Sequence, residues 1–270
     1  MYTLKEWLVA ANQKLHNAGV SSAALDAQII AEHVLHKNRA HLLAHVEMPI
    51  TSGQKASLDK LLAERSTRKP IAYITHKAYF YGRSYYVNQK VLIPRPESES
   101  FINLLLLKHN GIGSLIDIGT GSGVLGITAK LLLPHVSVTC SDISKPAIRV
   151  AKRNAEDHKV SIIFKNQSLL DNNNYNVIFA NLPYVPSDFP LTNELSYEPS
   201  LALHANQRGM HYYHQLWVQI AQLSNKPLFV FTESLLSQHD EMVMLARKNE
   251  YKLDSTEGLV QVFVKVAAEA

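Results

Sequence analysis

Asn181-Leu182-Pro183-Tyr184 joins residue types suited to holding a planar, nitrogen-bearing group. An amide or exocyclic amine is a poor nucleophile because its nitrogen lone pair is delocalised. A site that accepts both of its N–H hydrogens can aim that lone pair at an electrophile. The side-chain oxygen of Asn181 can accept one hydrogen and the backbone carbonyl of Leu182 the other. Pro183 restricts residue 182 to extended backbone. Tyr184 can pack on the planar group or close its pocket. No acid–base residue is needed before the new bond forms, since the nitrogen can lose its proton afterwards. The contribution of such a turn is positioning and electrostatic alignment. Taken alone, the four residues could equally be a strand-end asparagine followed by an ordinary proline turn.

A second motif lies upstream. Asp117-Ile118-Gly119-Thr120-Gly121-Ser122-Gly123 falls between a predicted strand and a predicted helix. Glycines at alternate positions let the backbone turn sharply and approach a ligand closely. The following helix aims its free N–H groups at the same place. The spacing is not the dinucleotide fingerprint, which has two residues before its last glycine. It matches the Asp-x-Gly-x-Gly-x-Gly pattern of class I methyltransferases, whose loop passes under the methionine part of S-adenosylmethionine. That resemblance assigns Asp117, Gly119, Thr120, Gly121 and Gly123 to the cofactor, with Asp142, Ile143, Ser168 and Asn181 completing the set. Asp142 ends the next predicted strand, where an acid accepts hydrogen bonds from ribose hydroxyls. It can also cap the next helix, with Ser144 and Pro146 nearby. Asp117 can instead be a buried acid that ties the loop to its own amides.

These residues need a scaffold, and the chain supplies an alternation. Strands are predicted at 115–118, 136–141, 161–164, 177–180, 228–232 and 259–266, with helical stretches between most of them. The pattern predicts an α/β fold, a parallel-dominated, doubly wound, Rossmann-like sheet. In such sheets ligands sit outside the carboxyl ends of the strands. Asp117, Asp142 and Asn181 all fall at predicted carboxyl ends and are expected to face one crevice.

Ahead of the sheet, the spacing predicts a helical bundle. Thr3 and Glu6 have the form of a capping box, and Leu4, Trp7, Leu8, Ala11 and Leu15 recur at helical spacing. Ser21 and Ser22 can cap a second helix carrying Leu25, Ile29, Ile30 and Val34, and Ser52 a later one with Leu58, Leu61 and Leu62 inside. The Tyr- and Phe-rich stretch from Ala78 to Val87, broken at Gly82-Arg83, reads as a hairpin. Two prolines around Arg95 stiffen the segment that follows. The expected organisation is a helical domain over 1–77, a hairpin linker over 78–94 and a catalytic domain over 95–270.

Bulk properties exclude several classes. The chain has 270 residues, 46% of them hydrophobic and 19% charged, as in ordinary globular proteins. A single cysteine, Cys140, rules out a disulfide framework and a thiolate zinc site. The thirteen histidines have no metal-ligand spacing; His41 and His45 read as an exposed helical face. Lys5 and Glu6 interrupt any secretory core at the start, and Lys108 and His109 close the Leu104–Leu107 run well short of a membrane span. A cytoplasmic protein without membrane contact is expected. The net charge of +4 and a pI near 9.0 permit an acidic partner without requiring one.

The flanking segments carry a more specific resemblance. Lys69-Pro70-Ile71-Ala72-Tyr73-Ile74-Thr75, Val91-Leu92-Ile93-Pro94-Arg95-Pro96-Glu97-Ser98-Glu99 and Tyr197-Glu198-Pro199-Ser200-Leu201-Ala202-Leu203 resemble segments of the protein-(glutamine-N5) methyltransferases that modify class I peptide chain release factors. Asn181-Leu182-Pro183-Tyr184 is similar to that family's Asn-Pro-Pro-Tyr motif. The resemblance implies S-adenosylmethionine as cofactor and a release factor as protein substrate. It also implies methylation of the glutamine in a Gly-Gly-Gln loop, a helical domain that docks the factor, and no direct nucleic-acid contact. Asn181 and the Leu182 carbonyl would hold the glutamine amide, Tyr184 would line its pocket, and Arg95, Glu97 and Glu198 would contact the substrate. For Arg95 and Glu97 an interdomain ion pair and a helix start are the alternatives.

The chain departs from the family at several positions. Leu182 replaces a proline, so its N–H needs a partner and its φ is free. Ser168 replaces an acid near the adenine, His76 a common glycine and Leu235 another, while Glu233 and Gln238 match. Asn-Leu-Pro-Tyr is also the spelling of ribosomal-RNA adenine dimethyltransferases, whose accessory helices follow the catalytic domain instead of preceding it. A ribosomal-protein glutamine methyltransferase and a catalytically idle binding module are the remaining alternatives.

Overall fold

The computed structural model describes residues 2–108, 113–171, 173–187, 189–190 and 192–266; Met1 and His109 lie outside them. The chain forms two compact units, Met1–Lys77 with Leu191–Tyr197, and Ala78–Pro190 with Glu198–Ala270.

The first unit contains α1 (Leu4–Asn17), α2 (Ala23–Leu35), α3 (Arg39–Ala44), α4 (Ser52–Ser66) and α5 (Ile71–Thr75). The Thr3–Glu6 capping box forms: Thr3 Oγ1 accepts from the Glu6 amide at 3.3 Å, and Glu6 Oε2 accepts from the Thr3 amide at 2.7 Å. Leu4, Trp7, Ala11 and Leu15 are buried as the spacing requires. The inner face of α2 differs from the predicted one. Ala23, Asp26, Ala27, Ile30, Ala31 and Leu35 are buried, and Leu25 is 42% exposed. The reason is electrostatic as well as apolar: Asp26 Oδ2 receives Arg65 Nε at 2.6 Å, both side chains buried. Ser22 occupies the α2 cap position without a side-chain cap bond. The α4 cap is Thr51, in a box with Gln54, and Ser52 is its first helical residue. His76, where a glycine would suit the left-handed end of α5, accepts φ +54. The later segment joins this unit through Glu194, which receives Arg68 Nε at 2.6 Å, and through Tyr197, whose hydroxyl donates to the Thr67 carbonyl at 2.8 Å.

The hairpin strands are β1 (Lys77–Phe80) and β2 (Arg83–Tyr86). The turn is Tyr81-Gly82, one residue earlier than predicted, with both φ values positive (+50 and +71) as a tight twisted hairpin demands.

In the second unit a 3₁₀ turn (Pro96–Glu99) leads into α6 (Ser100–Leu107), β3 (Ser114–Ile118), α7 (Val124–Leu132), β4 (Ser137–Asp142), α8 (Lys145–Asp157), β5 (Ile163–Asn166) and β6 (Val177–Ala180). Then come β7 (Val185–Pro186), α9 (Ser200–Leu203), β8 (His204–Ala205), α10 (His211–Gln222), β9 (Phe229–Glu233), α11 (His239–Lys248), β10 (Tyr251–Glu257) and β11 (Val260–Lys265). The seven-stranded sheet runs β10-β11-β9-β6-β3-β4-β5. Pairing is parallel from β9 to β5, and β11 is antiparallel to both its neighbours. Strand β10 was not predicted: of Tyr251-Lys252-Leu253-Asp254-Ser255-Thr256-Glu257 only Tyr251 is buried, so this edge strand lacks a hydrophobic signature.

Alternation along the strands divides the core. Leu115, Val177 and Phe179 join α6 and α7 in one cluster, while Ile116, Ile118, Ile178 and Ala180 join α10 and α11 in the other. Helices therefore cover both faces, as expected of a doubly wound sheet. Going outward from β3, β4 and β5 lie on one side and β6 and β9 on the other. The order reverses at β3/β6, the place where an open α/β sheet leaves a crevice.

Gly126 sets how closely α7 packs on the sheet. A Cβ there would overlap Cys140 Sγ and come within 3.3 Å of Asp117 Oδ2. Gly126→Ala is expected to destabilise the fold by about 1–3 kcal/mol, the usual cost of overpacking. Urea denaturation is the check, and Cys140→Ala in the same chain should recover most of the loss.

Candidate functional site

A cleft open to solvent lies at the carboxyl ends of β3, β4 and β6. Gly119 and Gly121 line it from the loop after β3, Asp142 and Ile143 from the end of β4, and Ser168 from beyond β5. Asn181, Leu182 and Pro183 line it from the turn after β6. Residues more than sixty apart in sequence thus meet because their strands are neighbours at the reversal point.

The remaining predicted residues stand elsewhere. Asp117 does not line the cleft: strand alternation turns it toward α7, where Oδ2 accepts from Thr120 Oγ1 (2.5 Å) and the Gly126 amide (3.1 Å). It is the loop tie allowed for in the sequence reading. Thr120 is buried with it, its amide donating to the Ser141 carbonyl at 2.9 Å. Gly123 has φ +84, and a Cβ there would lie 2.9 Å from Ile127 Cδ1 and 3.1 Å from Ala151 Cβ, so helix packing requires this glycine.

Burial pushes the Asp117 carboxyl up to about 7, against an ordinary 3.8. The folded chain therefore binds this proton more tightly than the unfolded one between those values. Its contribution to stability is present at low pH and is lost as pH rises toward and through about 7. Relative to Asp117→Asn, the wild-type chain should lose stability between pH 5 and pH 7.5. Urea midpoints of the two chains at both values test this.

Asp142 is fixed in place at the cleft. Its Oδ2 accepts from the Gly121 amide at 3.0 Å and its Oδ1 from the Ser144 amide at 2.8 Å, which fixes the carboxylate against the glycine loop and leaves lone pairs available. The helix cap is Ser144, whose Oγ accepts from the Ala147 amide at 3.3 Å, so Asp142 is not the N-cap. Burial raises the Asp142 pKa.

The turn after β6 rests on a group to which the sequence assigned no role. Glu233, at the end of β9 and 1% exposed, gathers three donors. Its Oε2 receives Ser98 Oγ at 2.6 Å and Asn181 Nδ2 at 3.1 Å, and its Oε1 receives the Tyr184 hydroxyl at 2.9 Å. Asn181 Nδ2 also donates to Ser98 Oγ at 3.0 Å. An ionised carboxylate only accepts, so with Glu233 charged the Asn181 amide turns its nitrogen inward. Among the described residues no donor reaches Asn181 Oδ1 or the Leu182 carbonyl. Burial raises the Glu233 pKa, and burial with the Glu233 charge raises that of Tyr184. Tyr184 was expected to line the pocket; its hydroxyl is instead committed to Glu233, and its carbonyl accepts from Gln238 Nε2 at 2.9 Å.

Arg95, Glu97 and Glu198 do not line the cleft either. The Arg95 guanidinium pairs with Glu198 Oε1 at 2.5 Å, and Glu198 Oε2 accepts from the Ile93 amide at 3.0 Å. Both partners belong to the second unit, so this is no interdomain pair. Glu198 is buried and braces the 93–95 segment. Glu97 lies in the first turn of the 3₁₀ helix, the helix-start alternative. Ser98 and Glu233 are 135 residues apart, and no local signal links them. A carboxylate ending the strand beside that of Asn181 was the one available hint.

The N-terminal residues 6–75 match the model described as the PrmC N-terminal domain, and residues 98–191 match the methyltransferase small domain. A release factor glutamine methyltransferase of Mycoplasma mycoides is 31% identical over 252 residues, covering 87% of this chain and 88% of that protein. The chain belongs to the release factor glutamine methyltransferase family. It is also 30% identical over 281 residues to a bifunctional methyltransferase of Rickettsia typhi, covering 94% of this chain and 54% of that protein. The chain thus spans about half the length of the bifunctional relatives it matches. Among solved structures, a ribosomal protein L11 methylase from Lactobacillus delbrueckii subsp. bulgaricus superposes with a TM-score of 0.50 at 18% identity. It covers 67% of this chain and 84% of that one, a likeness of fold. Both family matches end before Glu233, so of the two groups that hold the Asn181 amide, Ser98 lies inside the second match and Glu233 outside it.

Proposed function

We propose that this chain transfers a methyl group from S-adenosylmethionine to the side-chain amide nitrogen, N5, of the glutamine in the Gly-Gly-Gln motif of class I peptide chain release factors. One observation carries the chemistry: Asn181, which lines the cleft together with Leu182, is pinned by Ser98 and Glu233 with its amide nitrogen inward, which frees Oδ1 to accept from a ligand. An accepting oxygen suits an NH₂ group and disfavours a carboxylate of the same size, which has only lone pairs to offer.

The cleft fits the cofactor on its own features. Gly119 and Gly121 both have positive φ, and a Cβ at Gly119 would already lie 3.2 Å from Leu182 Cδ2, so the loop leaves backbone where a side chain would stand. Asp142 offers an oriented carboxylate to a diol. Ile143, Leu169, Leu201 and Ala202 supply apolar lining for a flat ring, and Ser168 adds a neutral hydroxyl. When bound, the cofactor supplies an electrophilic sulfonium methyl. The chain's own residues hold the acceptor nitrogen: Asn181 Oδ1 and the Leu182 carbonyl take its two hydrogens and turn the lone pair toward the glycine-loop side of the cleft. Preorganisation of this kind contributes by alignment and needs no general base before transfer.

Residues 1–77 are proposed to dock the release factor, with 78–94 as the linker and 95–270 as the catalytic domain. Family membership, with the helical match placed ahead of the methyltransferase match, supports the release factor over ribosomal RNA as substrate. Among the described residues no helix is long and apolar enough to cross a membrane. The test is incubation of the full chain with labelled S-adenosylmethionine and either a release factor or ribosomal RNA, followed by mass-spectrometric location of the methyl group. Label on the Gly-Gly-Gln glutamine supports the reading; label on an adenine, on another protein or nowhere overturns it.

A further inference from the structure

We propose that the Tyr213 hydroxyl is a positioning group for the acceptor turn, doing in this chain what a proline at residue 182 would do by covalent restraint. The proposal rests on the function given above. A proline at 182 would fix its own φ and carry no N–H. Leucine leaves φ free and brings a donor into a place where only 4% of the residue is exposed. An unpaired buried N–H would pull the turn toward any conformation that satisfies it.

Tyr213 removes that pull. It projects from α10, is fully buried, and packs in the same cluster as Ala180, Leu182 and Met210. The Leu182 amide donates to its hydroxyl oxygen at 3.3 Å. The hydroxyl faces the Ala180 carbonyl at 3.2 Å and, more closely, the Glu233 carbonyl. A phenol has one hydrogen to donate and lone pairs to accept with. It can therefore satisfy Leu182 while donating to one of the two strand-end carbonyls. One oxygen ties together the end of β6, the end of β9 and the turn between the two acceptors.

Leu182 is held from two other directions. Pro183 keeps its backbone extended. Its side chain lies against the glycine loop, where a Cβ at Gly119 would come within 3.2 Å of Cδ2. With the amide also fixed, the carbonyl of Leu182 has one direction left. Loss of the Tyr213 hydroxyl frees that rotation and misaims one of the two acceptors, while the cofactor-lining carboxylate of Asp142 is untouched.

The experiment is a cycle of four full-length chains: wild type, Tyr213→Phe, Leu182→Pro and the double variant. In the wild-type background Tyr213→Phe is expected to lower kcat on a Gly-Gly-Gln acceptor about tenfold or more, with S-adenosylhomocysteine affinity changed less than threefold. In the Leu182→Pro background, which has no amide to satisfy and serves as its own reference, the same change is expected to cost less than threefold. Equal losses in both backgrounds would overturn the proposal, as would a Leu182→Pro chain without measurable transfer. If Tyr213→Phe does not fold alone, recovery of folding by Leu182→Pro supports the coupling and failure in both backgrounds overturns it. Hydrogen–deuterium exchange at the Leu182 amide gives a readout independent of turnover. Faster exchange in Tyr213→Phe at unchanged global stability is expected, and unchanged exchange would sink the idea. A wild-type chain that methylates no glutamine refutes the proposed function, whereas the exchange result still decides the hydrogen bond.

Discussion

Asn181→Ala is expected to lower single-turnover methyl transfer to a glutamine acceptor by about 10²–10³-fold or more, the usual effect of deleting one preorganised group at a reacting centre. S-Adenosylhomocysteine affinity, read by calorimetry, should stay within a few-fold of wild type. The two expectations differ because the Asn181 amide, whose nitrogen bonds Ser98 and Glu233, is the group proposed for the acceptor, while Asp142 and the glycine loop are those proposed for the cofactor. Ser98 Oγ still reaches Glu233 at 2.6 Å without Asn181, so the fold loses only part of the network. If Asn181 were simply a strand-end residue, the melting temperature would fall and the rate per folded molecule would not. Loss of cofactor affinity with unchanged single-turnover chemistry would remove Asn181 from the acceptor site. Asn181→Asp should be as inactive as the alanine variant. It keeps an outward oxygen but sets a second carboxyl against Glu233, and two such neighbours cannot both ionise without a large cost.

Glu233→Gln is expected to cost about 10- to 100-fold in kcat while leaving cofactor affinity within a few-fold. The substitution keeps volume and changes polarity. A carboxylate accepts from Ser98, Asn181 and Tyr184 at once, whereas a glutamine amide has one accepting oxygen and an NH₂ that must face donors. Asn181 can relieve the donor–donor clash by rotating its amide through half a turn. That would point Nδ2 at the acceptor nitrogen, the wrong polarity for holding an NH₂ group. Glu233→Leu removes the acceptor altogether and strands three partly buried donors, each costing about 1–3 kcal/mol when left unpaired. It should lower the urea midpoint sharply, where Glu233→Gln should not. A Glu233→Gln chain with wild-type kcat would show that the polarity of the Asn181 amide is set elsewhere.

Glu233 also marks how far the sequence could be read. Its place at the end of a strand was legible, because Val230 and Phe231 beside it are apolar and buried. Its role was not, because its partners sit 135, 52 and 49 residues away. The glycine loop illustrates the same limit within one motif. Spacing located it, yet Gly119 and Gly121 line the cleft while Gly123 serves the contact between α7 and Ala151. Pattern alone cannot separate a glycine kept clear for a ligand from one kept clear for a helix. Glu198 and Tyr184, expected at the substrate, bond Ile93, Arg95 and Glu233, since a polar residue near a site can satisfy protein as readily as ligand.

The sequence by itself determined what depends on a few bonds along the chain. The Thr3–Glu6 cap, the extended backbone before Pro183, the turning freedom of the glycine loop and the alternation of strand and helix all follow from local sterics and hydrogen bonding. The tertiary structure alone decided which way the Asn181 amide faces, what satisfies the Leu182 amide and which side of β3 carries Asp117. Those outcomes depend on which strand ends become neighbours. A buried donor takes whatever acceptor the packed fold brings within reach, however distant in sequence.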